Sequence, residues 1–127
     1  MARILIVDDD EVTRIILGRI LQDVGHEVAF AGDGLSALET LRRQDFDVVV
    51  TDLAMPGMNG LRLIRHLRET SGAPPVIAIS GQNAEQLLLA NDYGAVATLY
   101  KPVDRKRLQA AVADAYQARN PWAQIQC

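Results

Sequence analysis

The sequence predicts an α/β domain, a doubly wound five-stranded parallel sheet covered by five helices on both faces. Three observations predict it. Short apolar runs alternate with amphipathic helical stripes along the whole chain. The run Val48-Val49-Val50 is continuous rather than alternating, as a strand buried on both faces requires. The connections are too short for anything but right-handed crossovers. In chain order, Arg3 to Val7 is the first strand and Asp8-Asp9-Asp10 its acidic turn. Residues 11 to 24 then place Val12, Ile16, Leu17, Ile20, Leu21 and Val24 on one helical stripe, which Gly25 stops. Glu27 to Ala31 is the second strand, and Gly32-Asp33-Gly34 turns into a helix over Leu35 to Arg43. Asp47 to Thr51 is the third strand. The loop Met55-Pro56-Gly57-Met58-Asn59-Gly60 leads to a helix over Leu61 to Arg68, and the breaker Ser71-Gly72-Ala73-Pro74-Pro75 to the strand Val76 to Ser80. A fourth helix over 84 to 93 ends at Gly94, a fifth strand covers 96 to 100, and Asp104 caps a last helix to Ala118.

A length of 127 residues fits one domain, expected over residues 1–120 with 121–127 as a short tail. With 49% hydrophobic and 23% charged residues the composition is that of a soluble globule. The single cysteine, Cys127, excludes an intrachain disulfide. Arg3 precedes an apolar run of only four residues, Ile4 to Val7, which is no signal peptide, so the expected setting is reducing and cytoplasmic. No apolar stretch approaches the roughly 18 to 20 residues that span a bilayer. The formal charge of -3 argues against direct nucleic-acid binding through a bulk basic surface.

In parallel α/β sheets, ligands and chemistry gather outside the carboxyl ends of the strands. Here those ends carry Asp8-Asp9-Asp10, Asp52, Ser80 and Lys101-Pro102. Carboxylates brought within ~4 Å repel by about 4 kcal/mol per pair at an effective dielectric near 20, so Asp8, Asp9 and Asp52 together need compensation. A divalent cation and a lysine supply it. Hard oxygen ligands with room for water suit magnesium, and Lys101 is the only lysine at a strand end, Lys106 being the only other in the chain.

Taken jointly, the acid pair after strand one, the Asp before Met-Pro-Gly-Met-Asn-Gly, the Ser ending strand four and the Lys-Pro ending strand five resemble the receiver domain of bacterial two-component response regulators, in particular single-domain, chemotaxis-type receivers. The resemblance spans about residues 2 to 118. It implies a flavodoxin-like sheet of order 2-1-3-4-5 and a cis Lys101-Pro102 bond. It implies Asp52 as phosphoacceptor, and Mg2+ held by Asp8, Asp9, Asp52 and the backbone carbonyl of Ala54. Ser80 and Lys101 then bind the phosphoryl group. A sensor histidine kinase or phosphotransfer protein is the implied donor, and a downstream effector protein or a second receiver the implied reader. The chain then catalyses only its own phosphoryl transfer and autodephosphorylation. The alternative is a receiver excised from a larger response regulator or hybrid kinase.

The residue types suit that chemistry. A carboxylate attacks an anionic phosphoryl donor, a phosphohistidine or small phosphoramidate, only when a metal and an ammonium neutralise charge in a metaphosphate-like transition state. A hydroxyl at Ser80 can donate to a phosphoryl oxygen and so couple its loop to phosphorylation. Three other classes fit less well. An aspartyl-nucleophile phosphatase built on Asp8-x-Asp10 leaves Asp52 and Lys101-Pro102 unexplained. A flavin or phosphate cradle after strand one is opposed by three aspartates. A degenerate scaffold is opposed by the presence of every acid, the hydroxyl and the lysine.

Asp10 alone reads as a helix N-cap. Met55, Met58 and Asn59 read as loop residues without direct chemistry, His26 and His66 as solvated, and Cys127 as inert. Three positions vary from or within the resembled pattern. Thr98 stands where an aromatic switch residue is common, Ala54 has no side chain that orients water, and Gln82 has one that can. Ile15 lies off the inward stripe of the first helix, near Arg19 and Gln22, and is the expected contact for a donor helix. In Leu87-Leu88-Leu89, three consecutive residues sweep 200° and at least one faces outward. Leu87 is the residue expected on the output face.

Overall fold

In the computed structural model, which describes residues 2–55, 57–81 and 84–119, strands and helices alternate strictly. Met1, Pro56, Gln82, Asn83 and residues 120–127 lie outside the described residues, and with them the expectations for Gln82, Cys127 and the tail. The elements are β1 (Arg3–Val7), α1 (Glu11–Gln22), β2 (Glu27–Ala31), α2 (Gly34–Arg43), β3 (Val48–Asp52), α3 (Gly60–Arg68), β4 (Val76–Ser80), α4 (Ala84–Tyr93), β5 (Ala97–Tyr100) and α5 (Arg105–Arg119). They form one parallel sheet of order β2-β1-β3-β4-β5.

Every residue of β3 and β4 is buried, as continuous apolar runs covered on both faces should be. Alternate strand residues feed two cores. Leu5, Val7, Val49, Val76 and Ala78 pack with Ala37, Leu63, Ile64, Leu67, Leu87 and Ala90, so α2, α3 and α4 cover one face. Ile4, Ile6, Val48, Val50, Ile77 and Ile79 pack with Leu17, Ile20, Leu21, Leu108 and Val112, so α1 and α5 cover the other. The starts of α1, α2, α3 and α5 are set by polar caps. The carboxylates of Asp10, Asp33 and Asp104 and the amide oxygen of Asn59 accept from backbone N–H groups three residues on. Gly25 and Gly94, at φ +91 and +117, make the left-handed turns that end α1 and α4.

Two expectations are corrected. In α1 only Leu17, Ile20 and Leu21 of the expected stripe are buried, while Val12, Ile16 and Val24 are exposed. At 100° per residue, Val12 and Ile16 sit about a quarter turn or more from the Leu17–Ile20–Leu21 direction. Val24 lies beyond the C-cap Asp23, outside the helix. In α4, Leu87 is buried with Ala90 three residues on, and Leu88 and Leu89 carry the exposure, at 66% and 39%. The 200° argument holds, but Leu87 is the leucine that faces the sheet.

Candidate functional site

Asp8 follows β1 and is almost fully buried, its N–H donating to the Ala31 carbonyl at 3.1 Å. One carboxylate oxygen, Oδ1, accepts from the Asp10 N–H at 2.9 Å, and Oδ2 lies 3.3 Å from Lys101 Nζ. Asp52 closes β3, also buried, with Oδ1 at 3.5 Å from the same ammonium. Its carboxylate further accepts from the backbone N–H of Ala54. Asp9 is exposed, yet oxygens of Asp8, Asp9 and Asp52 all lie within 4.8 Å of one another.

Ser80 is buried at the end of β4. The register pairs Asp52 with Ile79 and Ser80 with Tyr100, and the Lys101 N–H donates to the Ser80 carbonyl at 2.9 Å. Adjacent strands therefore deliver the Asp52 carboxylate, the Ser80 hydroxyl and Lys101 to one edge. The Lys101–Pro102 bond is cis.

Burial raises the pKa of Asp52, the charge of Asp8 adds to the rise, and Lys101 opposes it. For Lys101 burial works downward, but Asp52 and Asp8 outweigh it and hold the ammonium protonated. Three carboxylates and one ammonium leave two negative charges, and every donor is a hard oxygen. That set fits a magnesium ion.

Asp10 serves as the N-cap of α1, its pKa lowered by the Thr13 hydroxyl and N–H. Asn59, expected as a plain loop residue, caps α3. Gly60 is buried, and a Cβ there would collide with the Asp52 carbonyl, so only glycine lets α3 start against the end of β3. His66 is exposed, as expected. His26 is not simply solvated. It is half-buried before the amino end of β2, its Nδ1 accepts the Ala2 N–H at 2.9 Å, and burial lowers its pKa. Arg14 was not foreseen. Its Nη1 donates to the Asp8 carbonyl at 2.6 Å. The available signal was a charged residue on the inward stripe, one turn before Leu17 and Gly18. A cleft of about 710 Å³ between β5 and α5, lined by Val96, Leu99, Ala111 and Ala115 among others, lies apart from these acids.

A doubly wound sheet whose carboxyl edge gathers three carboxylates, a buried hydroxyl and a shared lysine defines a phosphoacceptor module of the receiver type. The family model for the response regulator receiver domain matches residues 4–113, and the chain belongs to that family, the phosphoryl-accepting switch of two-component systems. It is similar to the sensory/regulatory protein RpfC of Xanthomonas campestris pv. campestris, 37% identical over an alignment of 117 residues that covers 88% of this chain and 16% of the relative. It is also similar to the DNA-binding response regulator MtrA of Mycobacterium tuberculosis, 38% identical over 110 residues, 87% of this chain and 48% of the relative. Among solved structures it is similar to the Francisella response regulator 1452 receiver domain, with a TM-score of 0.86, 27% identity, and 94% and 99% of the two chains covered. The chain thus spans less than half the length of either curated relative.

Proposed function

We propose that Asp52 accepts a phosphoryl group from the phosphohistidine of a sensor histidine kinase or phosphotransfer protein. The observation that carries this reading is the buried Asp52 carboxylate at the centre of the acid cluster, 3.5 Å from the Lys101 ammonium. Asp8, Asp9, Asp52 and the Ala54 carbonyl are the ligands for Mg2+, which when bound neutralises charge on the transferring group. An Asp52 oxygen attacks phosphorus, the bond from phosphorus to the donor nitrogen breaks, and the imidazole leaves with the electron pair and takes a proton from solvent. Lys101 balances charge on the phosphoryl oxygens, and the Ser80 hydroxyl donates to one of them. The chain catalyses no reaction beyond this transfer and its own dephosphorylation, and it works in the cytoplasm. No helix among the described residues is long and apolar enough to cross a membrane.

Ile15 is not isolated on α1. Val12, Ile15 and Ile16 are 62%, 56% and 54% exposed on the first turns after the acid loop, which supports this face as the seat of the donor protein. Leu88, Val96 and Tyr100 are exposed around α4 and β5 and support an output face for an effector protein or a second receiver. The domain is assigned to residues 1–120. The greater length of both curated relatives supports the alternative that it works inside a longer regulator or hybrid kinase.

The test is intact mass after incubation with a small phosphoramidate, with magnesium or with chelator. Wild type should gain one phosphoryl group only with magnesium, and Asp52→Asn none. A phosphoryl group on the variant overturns the assignment.

A further inference from the structure

The stripe by which α1 faces the sheet runs through Leu17 and Leu21, and one turn toward the N-terminus it reaches Arg14. An apolar residue is expected there. Instead the half-buried guanidinium lies against Gly32, where an added Cβ would sit 3.5 Å from Nη1. Its Nη1 donates to the Asp8 main-chain carbonyl at 2.6 Å. That carbonyl belongs to the planar peptide group joining Asp8 to Asp9, so holding it fixes the orientation from which the Asp9 side chain departs. The Asp8 carboxylate is separately held by the Asp10 N–H and Lys101, whereas Asp9 is exposed. Orientation of the second acid therefore depends on the backbone that Arg14 restrains.

We propose that Arg14 is a positioning residue for the cation site: by holding the Asp8 carbonyl it fixes the peptide plane between the two aspartates and sets the affinity for Mg2+. This rests on the reading of Asp8, Asp9 and Asp52 as magnesium ligands. Two effects of Arg14 have opposite signs. By charge alone a nearby guanidinium disfavours a divalent cation, so its removal would tighten binding. By positioning, its removal weakens binding.

The experiment is calorimetric titration of the intact chain with magnesium chloride, comparing wild type, Arg14→Met and Arg14→Lys, with thermal melts in chelator to establish folding. Arg14→Met should bind Mg2+ about tenfold more weakly, the lower end of the loss usual when a group supporting a metal ligand is removed. Arg14→Lys, which keeps a donor of similar reach, should recover most of the affinity. Equal or tighter binding by folded Arg14→Met overturns the proposal while leaving the magnesium reading intact. Absence of magnesium binding by wild type overturns both. If Arg14→Met does not fold, Arg14→Gln, whose amide is too short to reach the carbonyl, carries the same comparison with the same deciding outcomes.

Discussion

Neutralising Asp52 should stabilise the magnesium-free protein. The Asp52 carboxylate has oxygens of Asp8 and Asp9 within 4.8 Å and Lys101 Nζ at 3.5 Å. At an effective dielectric near 20 each repulsion is worth about 3.5 kcal/mol and the attraction about 4.7 kcal/mol. Solvent screening at exposed Asp9 and at partly exposed Lys101 shrinks both sides, and burial of Asp52 adds to the unfavourable one. The unscreened terms leave about 2 kcal/mol against the ionised acid, and screening at Asp9 reduces this to roughly 1 kcal/mol, in the same direction as the raised pKa of Asp52. Asp52→Asn keeps the shape and removes the charge. Melting followed by circular dichroism in chelator at pH 7.5 should therefore show the variant about 3 to 5 °C above wild type. A carboxyl whose pKa is raised on folding stabilises the fold only while protonated, so the gap is full above the raised pKa and closes as pH falls toward the ordinary value of 3.8. Magnesium should reverse the order, because it binds the folded wild type more tightly than the variant. A variant that melts below wild type in chelator, with native dichroism, would refute the reasoning by showing that the lysine pair outweighs the repulsion.

Three further outcomes are expected. Asp9→Ala should lose most acceptor activity toward a small phosphoramidate together with its dependence on magnesium; full activity in chelator would count against Asp9 as a ligand. Ile15→Asp should slow phosphoryl transfer from a kinase or phosphotransfer protein about tenfold or more, as loss of an apolar contact at an interface does, while transfer from the small donor is unchanged. Equal loss with both donors would place docking elsewhere. Leu88→Asp should weaken effector binding or phosphorylation-dependent self-association without altering Asp52 phosphorylation. Leu87→Asp, by contrast, places a charge in the core and should unfold the domain. Unaltered partner affinity in folded Leu88→Asp would remove that face from the output.

The fold was legible because its strands are of the kind that sequence announces most clearly. Val48 to Val50 and Val76 to Ile79 are apolar on both faces, and Gly25 and Gly94 mark helix ends with positive φ. The placement of Asp52, Ser80 and Lys101 was legible for a related reason: parallel strands deliver their last residues to one edge whatever the loops do. Helix faces were less legible. Hydrophobicity alone put Val12 and Ile16 on the inward stripe of α1, although Arg14, Leu17 and Leu21 define it and the apolar residues beside them face solvent. The same ambiguity chose Leu87 over Leu88, since three leucines in a row carry no phase. Partners made through main-chain groups were not legible at all. The Ala2 N–H held by His26 leaves no side-chain pattern to read, and a charge on the inward stripe of α1 marks Arg14 without naming the carbonyl it contacts.

The two edges of the sheet divide the labour. At the amino edge, backbone groups are tied by side chains distant in sequence: Ala2 N–H to His26, Arg3 N–H to Asp47, and the carbonyls of Phe46 and Gly72 to Arg119. These pins join β1, β2, the turns before β3 and β4, and the end of α5, and none involves a residue of the acid site. At the carboxyl edge the contacts are ionic, shared and frustrated, with one lysine serving two buried carboxylates and a third acid beside them. Stability held at one end permits an unfavourable charge cluster at the other, and that cluster is what the proposed cation and phosphoryl group would relieve or rearrange. A change at Asp52 therefore acts on an edge where charge balance sets the geometry, while the buried strands β3 and β4 hold the opposite edge fixed.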